Sequence, residues 1–361
     1  MAEIGVDKGK ITVHVNLATP DAFSDQIAED IRQVLAGFDD VTKVEVRFNV
    51  KITQPKPVKV QGLPPNHPRN RPPKMTTVKN IIAVASNKGG VGKSTFSANL
   101  ACALKKLGEK SGVRVALLDL DVYGPNIPTM MGIYDRPYMS EEQKILPVVK
   151  HDIPMMSVGF ILENEGTPVI LRAPLVNKLV GDFTEKVDWG EIDYMVVDLP
   201  PGTGDIQLNL AQQLPDTRMI FVTTPQKVAL EDVYKGVRMF QQKEIALEIL
   251  GIVENMSYFV CEHGTRYDLF GKGGGEKVAK TFDIKLFGQV PIVGRVQEQG
   301  DKGKPVVLSD PNSEVGQLFL EIARSVTVEV ARNNAKLNEQ RKDMPRYDES
   351  DPGVIMEIDL D

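Results

Sequence analysis

The segment "NIIAVASNKGGVGKSTFSANLACALKKLG", residues 80–108, contains three successive patterns. Residues 80–86 are a short apolar run of the kind that forms a buried strand. Residues 87–92, "NKGGVG", are rich in glycine, and residues 93–108 place apolar side chains at 96, 100, 103, 104 and 107, a helical spacing. Strand, glycine turn and helix in that order make a phosphate-binding loop. Gly89, Gly90 and Gly92 let backbone N–H groups converge on phosphate oxygens, and the helix N-terminus adds partial positive charge. Lys93 is placed to bridge the outer phosphates of a nucleotide, and the Ser94 hydroxyl to ligate Mg²⁺. The strict pattern Gly-x-x-x-x-Gly-Lys-Ser/Thr, aligned on Gly92, Lys93 and Ser94, requires glycine at 87, where Asn87 stands. Two readings follow: a chance glycine cluster, or a variant loop in which a second lysine, Lys88, has its own task.

Further along the chain, short apolar runs alternate with helical stretches: "RVALLDL" (114–120), "YMVVDLP" (194–200), "RMIFVTTP" (218–225) and "EILGIVEN" (248–255). Runs apolar on both faces belong to parallel strands covered by helices. The expected class is α/β: a doubly wound, mostly parallel sheet with helices on both faces, as in P-loop NTPases, plus a small N-terminal β-α-β module.

Two of these runs end in acids. "VALLDLDVYGPN" (115–126) ends in Asp119 and Asp121, and "YMVVDLPPGTGD" (194–205) ends in Asp198 before a turn containing Gly202 and Gly204. Carboxylates at strand C-termini face the same crevice as the phosphates. Asp198 is expected to hold a Mg²⁺-bound water, Asp121 to orient the attacking water, and Asp119 to support the metal's outer shell. A turn-capping carboxylate is the competing reading for Asp119 or Asp121 taken alone.

Composition narrows the remaining possibilities. A chain of 361 residues that is 42% hydrophobic can bury one large core and carry a small second domain. Its net charge of −6 argues against nucleic acid or an anionic membrane as a general partner. Two cysteines, Cys102 and Cys261, form no disulfide framework and fit a reducing, cytoplasmic setting. The N-terminus lacks the pattern of a signal peptide, and no apolar run reaches the roughly 18 residues of a membrane span.

Around the nucleotide-binding region the chain divides into expected units. Residues 1–51 read as a β-α-β module ("ITVHVNL", "SDQIAEDIRQVLAGF", "VTKVEVRFNV"), either autonomous or packed on the main body. Residues 52–78 read as a basic linker with prolines at 55, 57, 64, 65, 68, 72 and 73. Its cations are spread among prolines without aromatics to stack bases, which favours a tether over nucleic-acid contact. Residues 79–335 form the ATPase domain, and 336–361 a tail ending in "RYDESDPGVIMEIDLD", free or a docking element. "GKGGGEK" (271–277) lacks a Gly-Lys-Ser/Thr ending and is expected to be a flexible hinge or loop rather than a second phosphate loop.

"KGGVGKST", "DLDVYGPNIP", "WGEIDYMVVDLPPGTGD", "ENMSYFVC" and "DLFGKGGGEKVA", in this order, resemble the Mrp (ApbC-type) ATPases, iron–sulfur cluster carriers in the MinD/ParA class of deviant P-loop proteins. The resemblance runs from about Lys79 to about residue 325. The N-terminal module resembles the small domain many bacterial members carry, with the chain beginning inside that domain's usual extent. The resemblance implies that Lys88 is a signature lysine, reaching across a homodimer interface to the partner's nucleotide. It implies nucleotide contacts from Lys88, Gly89, Gly90, Val91, Gly92, Lys93, Ser94 and Thr95. It also implies that Asn255 hydrogen-bonds the adenine ring and that "QVPIVGRVQEQGDKGKPVV" (289–307) closes over the base. A strand-end turn residue is the competing reading of Asn255.

The chain departs from the family after "MSYF". Cluster-carrying members have Cys-x-x-Cys there, so that two subunits supply four thiolates to a [4Fe–4S] cluster. This sequence reads "MSYFVCEHGTRYD" (256–268), with Cys261, Gly264 three positions on, and His263 as the only other soft ligand nearby. Cys261 is the cluster ligand the resemblance implies, or a small apolar residue without a metal role; Cys102, inside the helix after the loop, is structural. The resulting expectation is a homodimeric ATPase that uses ATP and Mg²⁺ and delivers iron–sulfur clusters to apo iron–sulfur proteins, working with cluster assembly factors. The alternative is a MinD/ParA-like positioning or assembly switch without a cluster, for which a basic amphipathic C-terminus would speak; this C-terminus is acidic. A metabolic enzyme phosphorylating a carboxylate on the same fold would need a substrate pocket that the sequence does not reveal.

Overall fold

The computed structural model describes residues 2–7, 10–19, 24–38, 41–53, 74–160, 173–242 and 245–339. Most of the proline-rich stretch and residues 340–361 of the tail lie outside the described residues, while residues 336–339 continue the last helix rather than opening the tail. At the N-terminus, strands β1 (Ala2–Asp7), β2 (Lys10–Leu17) and β3 (Lys43–Val50), with helix α1 (Ser24–Leu35), make a three-stranded sheet in the order β1-β2-β3. The β2-α1-β3 unit has the parallel pairing a β-α-β crossover requires, and β1 adds an antiparallel edge. Strand β1 is not apparent in the sequence reading because its alternation rests on Ile4 and Val6 alone, and both stay exposed.

The main body runs β4 (Val78–Ala85), α2 (Lys93–Leu107), β5 (Val115–Asp119), α3 (Ile127–Met131), β6 (Tyr138–Met139), β7 (Ile145–Leu146), β8 (Val148–Lys150) and β9 (Ile153–Ser157). It continues with α4 (Ala173–Glu185), β10 (Ile192–Asp198), α5 (Asp205–Gln213), β11 (Arg218–Thr223), α6 (Lys227–Phe240) and β12 (Glu248–Glu254). The last elements are β13 (Phe259–Val260), β14 (Arg266–Tyr267), α7 (Gly274–Phe282), β15 (Lys285–Gln289), α8 (Gly294–Asp301), α9 (Val306–Ser309) and α10 (Glu314–Glu339). Eight strands form one sheet in the order β15-β12-β11-β4-β10-β5-β9-β8, parallel except for β8, which pairs antiparallel with β9.

Every residue of β5, β10 and β11 is buried, the consequence of helices on both faces. On one face α2 and α10 pack through Phe96, Leu100, Phe319 and Val326; on the other, α4 to α7 contribute Phe183, Leu210, Val237 and Val278. Each such side chain contributes about 1.5–3 kcal/mol on burial, so these two layers fix where the strands end. Asp198 at the end of β10 stands in register with Val84 of β4 on one side and with Asp119 of β5 on the other. At the opposite, N-terminal end of the strands the buried Arg218 makes the tie: its Nε donates to Asn333 Oδ1 at 2.8 Å and its guanidinium to Asn334 Oδ1. Asn334 Nδ2 in turn donates to Thr53 O at 2.9 Å, joining the exit of the N-terminal module to the last helix.

Helix α6 fixes the start of the loop at 87. A Cβ on Gly236 would lie 2.3 Å from Asn87 Oδ1 and 2.4 Å from Nδ2, so the Asn87 carboxamide occupies the space an alanine would need. The small residue that the strict pattern requires in the loop sits instead on the facing helix. Gly236→Ala is expected to destabilise the fold, because overpacking costs about 1–3 kcal/mol and outweighs the gain in helix propensity of about 1 kcal/mol. Adding Asn87→Gly should restore most of the loss in urea denaturation. A Gly236→Ala protein as stable as the parent, or one that Asn87→Gly leaves unrelieved, would contradict this packing.

Candidate functional site

The turn from β4 into α2 closes on Gly92, whose φ of 83° is left-handed and strained for any other residue. A Cβ there would also come within 2.2 Å of Asn255 Nδ2. That amide group donates to Val91 O at 2.8 Å, which stitches the end of β12 to the loop. Gly89 and Gly90 are exposed, and nothing lies within 4 Å of where their Cβ atoms would stand, so their backbone faces open space. Backbone N–H groups exposed in this way at a helix start suit an oxyanion.

Beneath the loop, one ammonium is shared among acids. Lys93 Nζ lies 2.7 Å from Asp198 Oδ2, 3.2 Å from Asp121 Oδ2 and 3.1 Å from Ser94 Oγ. Asp198, fully buried, also accepts from Ser94 Oγ and from Ser97 Oγ, each at 2.6 Å. Asp119 accepts from Ser157 Oγ at 2.8 Å and from the Asp121 amide at 3.0 Å. Asp121 Oδ1 receives the amides of Tyr123 and Gly124 at 3.2 and 3.3 Å. Burial first, and then the negative charge of Asp198 on the next strand, push the Asp119 carboxyl up to about 8. Burial likewise raises Asp121, against the opposing pull of Lys93. Two carboxylates, Asp198 and Asp121, around one ammonium leave an excess of negative charge beside the buried Asp119 carboxyl, and with the Ser94 hydroxyl these groups present the hard oxygen donors that suit Mg²⁺. Among the described residues no three His, Cys, Asp or Glu side chains converge into a metal cage. Mg²⁺ needs none, since it commonly takes one or two protein ligands and draws the rest from phosphates and water.

Ser97 and Ser157 are absent from the sequence reading. Ser97 was accessible to it, four residues after Lys93 and so on the same helix face. Ser157 was not, because it reaches Asp119 only through the pairing of β5 with β9, in which the two residues are partners. Lys88 is not drawn into the carboxylate cluster: it is half-buried, with Nζ 3.4 Å from Gln226 Oε1 at the start of α6.

Beside the loop lies a cavity of about 410 Å³, lined by Gly92, Thr95, Phe96 and Asn255 together with Phe270 and residues 290–294, 296, 297, 300 and 301. Its mostly apolar walls next to phosphate-binding backbone suit a flat heteroaromatic base. "GKGGGEK" is not the flexible loop expected. From Gly274 it is helix α7, with Gly273 as N-cap, and the Gly275 amide donates to the buried Glu254 Oε2 at 2.5 Å. The fixing partner, Glu254, comes from β12, some twenty residues earlier, which local sequence could not indicate.

Cys261 sits in the turn of the β13–β14 hairpin, half-buried, its amide donating to Thr265 O at 3.0 Å. The backbone N–H of His263, and after it that of Thr265, lowers the thiol below its ordinary value. The hairpin's base is tied to the cavity wall: the Ser257 amide donates to Val290 O at 2.9 Å, and the Ile292 amide to Tyr258 O at 2.7 Å. Cys102 is fully buried, 4.0 Å from Met131 Sδ, and burial raises its thiol far above the usual range.

Comparison with known proteins places this geometry in context. A family model described as the ParA group's NUBPL iron-transfer P-loop NTPase matches residues 77–327. The chain is 44% identical over 310 residues to the iron-sulfur cluster carrier protein of Aquifex aeolicus (strain VF5), covering 83% of each chain. It is 42% identical over 269 residues to the iron-sulfur cluster transfer protein NUBPL of Mus musculus, covering 74% of this chain and 80% of that one. Among solved structures, the nucleotide-binding protein of Archaeoglobus fulgidus in complex with ADP superposes with a TM-score of 0.57 at 33% identity, covering 68% of this chain and 94% of that one. A family match across the whole nucleotide-binding body, together with close relatives over most of the chain, shows that this protein is an ATPase of the ParA/NUBPL iron-transfer P-loop NTPase family.

Proposed function

We propose that the protein is a homodimeric, Mg²⁺-dependent ATPase of the cytoplasm that carries an iron–sulfur cluster on Cys261 and delivers it to apo iron–sulfur proteins. The observation that carries this reading is the joining of the two sites: the wall of the base cavity at Val290 and Ile292 is hydrogen-bonded to the residues that lead into the Cys261 hairpin. A nucleotide closing that cavity would bear on the thiol's loop. The relatives named as cluster carrier and cluster transfer proteins support the nature of the cargo.

Gly89 to Thr95 would surround the phosphates with backbone N–H groups. Lys93, which rests on Asp198 and Asp121, would turn its charge to the phosphate oxygens. Ser94 and Asp198 would hold Mg²⁺, directly or through water, with Asp119 behind them; the ion, when bound, neutralises phosphate charge. Asp121 would orient the attacking water, and Asn255 would present its carboxamide to the base. Two Cys261 thiolates, one per subunit, would hold the cargo, a [4Fe–4S] cluster, with the remaining ligands drawn from His263, small thiols or the recipient. Two protein ligands make such a cluster labile, which suits a carrier. No helix among the described residues is long and apolar enough to cross a membrane.

Lys93→Ala should weaken Mg-ATP binding by at least about a hundredfold in calorimetry, the scale of losing a charge-assisted phosphate contact in a water-poor site. Unchanged affinity would remove the phosphate-loop assignment. Anaerobic reconstitution should load about one cluster per dimer, with little uptake in Cys261→Ala, most of it retained in His263→Ala, and a yield that rises with added glutathione. Wild-type protein taking up no more iron and sulfide than Cys261→Ala would refute the carrier reading and leave an ATP-driven switch with another cargo.

A further inference from the structure

The two lysines of the loop are held in contrasting ways. Lys93 is buried between two carboxylates at 2.7 and 3.2 Å. Lys88 is half-buried and rests on a neutral acceptor, Gln226 Oε1, at 3.4 Å. Helix α6 supplies that acceptor, since Gln226 is its N-cap residue with extended backbone (φ −60°, ψ 132°). The same helix holds the preceding loop residue at its other contact, where Gly236 faces the Asn87 carboxamide. Asn87 Oδ1 is buried there without a hydrogen-bond partner, so packing against α6 fixes it. With Asn87 fixed, the freedom left to this end of the loop is the Lys88 side chain.

We propose that Gln226 is a positioning residue that parks the Lys88 ammonium on its own subunit and releases it when an ATP-loaded second copy of the chain docks. The inference rests on the reading of Lys88 as a lysine that acts across a dimer interface. An amide oxygen suits the task because it carries no net charge. A long hydrogen bond to it is weak enough to exchange for a partner's phosphates, whereas a carboxylate in its place would pin the ammonium as Asp198 and Asp121 pin Lys93. ATP binding to the single subunit does not depend on Gln226, since Lys93 and the loop backbone make the cis phosphate contacts.

The test is sedimentation velocity of the full chain with Mg-ATP across a range of protein concentrations, for wild type, Gln226→Ala, Gln226→Glu, Lys88→Ala and the two double variants. Calorimetry of Mg-ATP binding to the monomer runs in parallel. Gln226→Glu should weaken ATP-dependent dimerisation by about tenfold, the scale of one additional charge-assisted hydrogen bond to be broken. Gln226→Ala should tighten dimerisation by about threefold, the smaller effect expected for losing a long, weak bond. Neither should alter monomer ATP affinity, and neither should affect dimerisation in the Lys88→Ala background. Gln226 variants that dimerise like wild type, or that shift dimerisation equally with and without Lys88, would overturn the assignment of Gln226 while leaving the role of Lys88 intact. Lys88→Ala protein that dimerises with ATP like wild type would instead overturn the trans-acting lysine itself.

Discussion

A buried ammonium with too many acids around it organises the centre of this molecule. Lys93 sits between Asp198 and Asp121, and Asp198 stands beside Asp119 because β10 and β5 pair in register at those residues. Two hydroxyls, Ser94 and Ser97, and one more from Ser157 complete the hydrogen bonding of carboxylates that would otherwise be too costly to bury. Burial first, and then the charge of Asp198, raises the Asp119 carboxyl, so in the free chain the fold holds a group that resists ionisation at neutral pH. Such an arrangement is poorly matched to itself and well matched to a dication with phosphates. The sheet order, the glycine at 92 and the helix dipole of α2 all serve to aim that mismatch at one crevice.

The same crevice reaches the cysteine through backbone rather than through a chain of side chains. Asn255 at the end of β12 is bonded to the loop at Val91, while residues 257 and 258 are bonded to the cavity wall at 290 and 292. Between these two ties lies Met256 in a left-handed conformation (φ 52°). The turn between the two ties is short, and a left-handed non-glycine residue of this kind persists only where its surroundings hold it. Cys261 follows five residues later in a two-stranded hairpin whose remaining support is local, including the Arg266 guanidinium 4.0 Å from the Tyr258 ring centroid.

Much of this was legible in the sequence because the central strands are buried on both faces and read as unbroken apolar runs. The phosphate loop, Asp119, Asp121 and Asp198 could be located by their place at the ends of such runs, and Asn255 through the family resemblance; the structure brings them to the same end of the sheet. Elements at the sheet margins were not legible. "IPMMS" in β9 and "KLFGQ" in β15 are short runs with proline, glycine or polar residues, and they become strands through pairing with neighbours distant in sequence. Ser157, Glu254 and Gly236 escaped notice for the same reason: each acts on a partner that only the sheet order or helix packing brings near. "GKGGGEK" was misread because its glycines suggest mobility, whereas the amide of Gly275 is fixed by a buried carboxylate.

We propose that the excess of carboxylate over ammonium at this site becomes favourable only when a dication accompanies the phosphates of a bound nucleotide. Calorimetric titration of the wild-type protein with ATP, in Mg²⁺ and in a chelator, tests it most directly. ATP without the metal should bind at least about tenfold more weakly, because its phosphates would meet Asp121 and Asp198 with one ammonium, Lys93, already shared between them. Equal affinity with and without Mg²⁺ would contradict the claim.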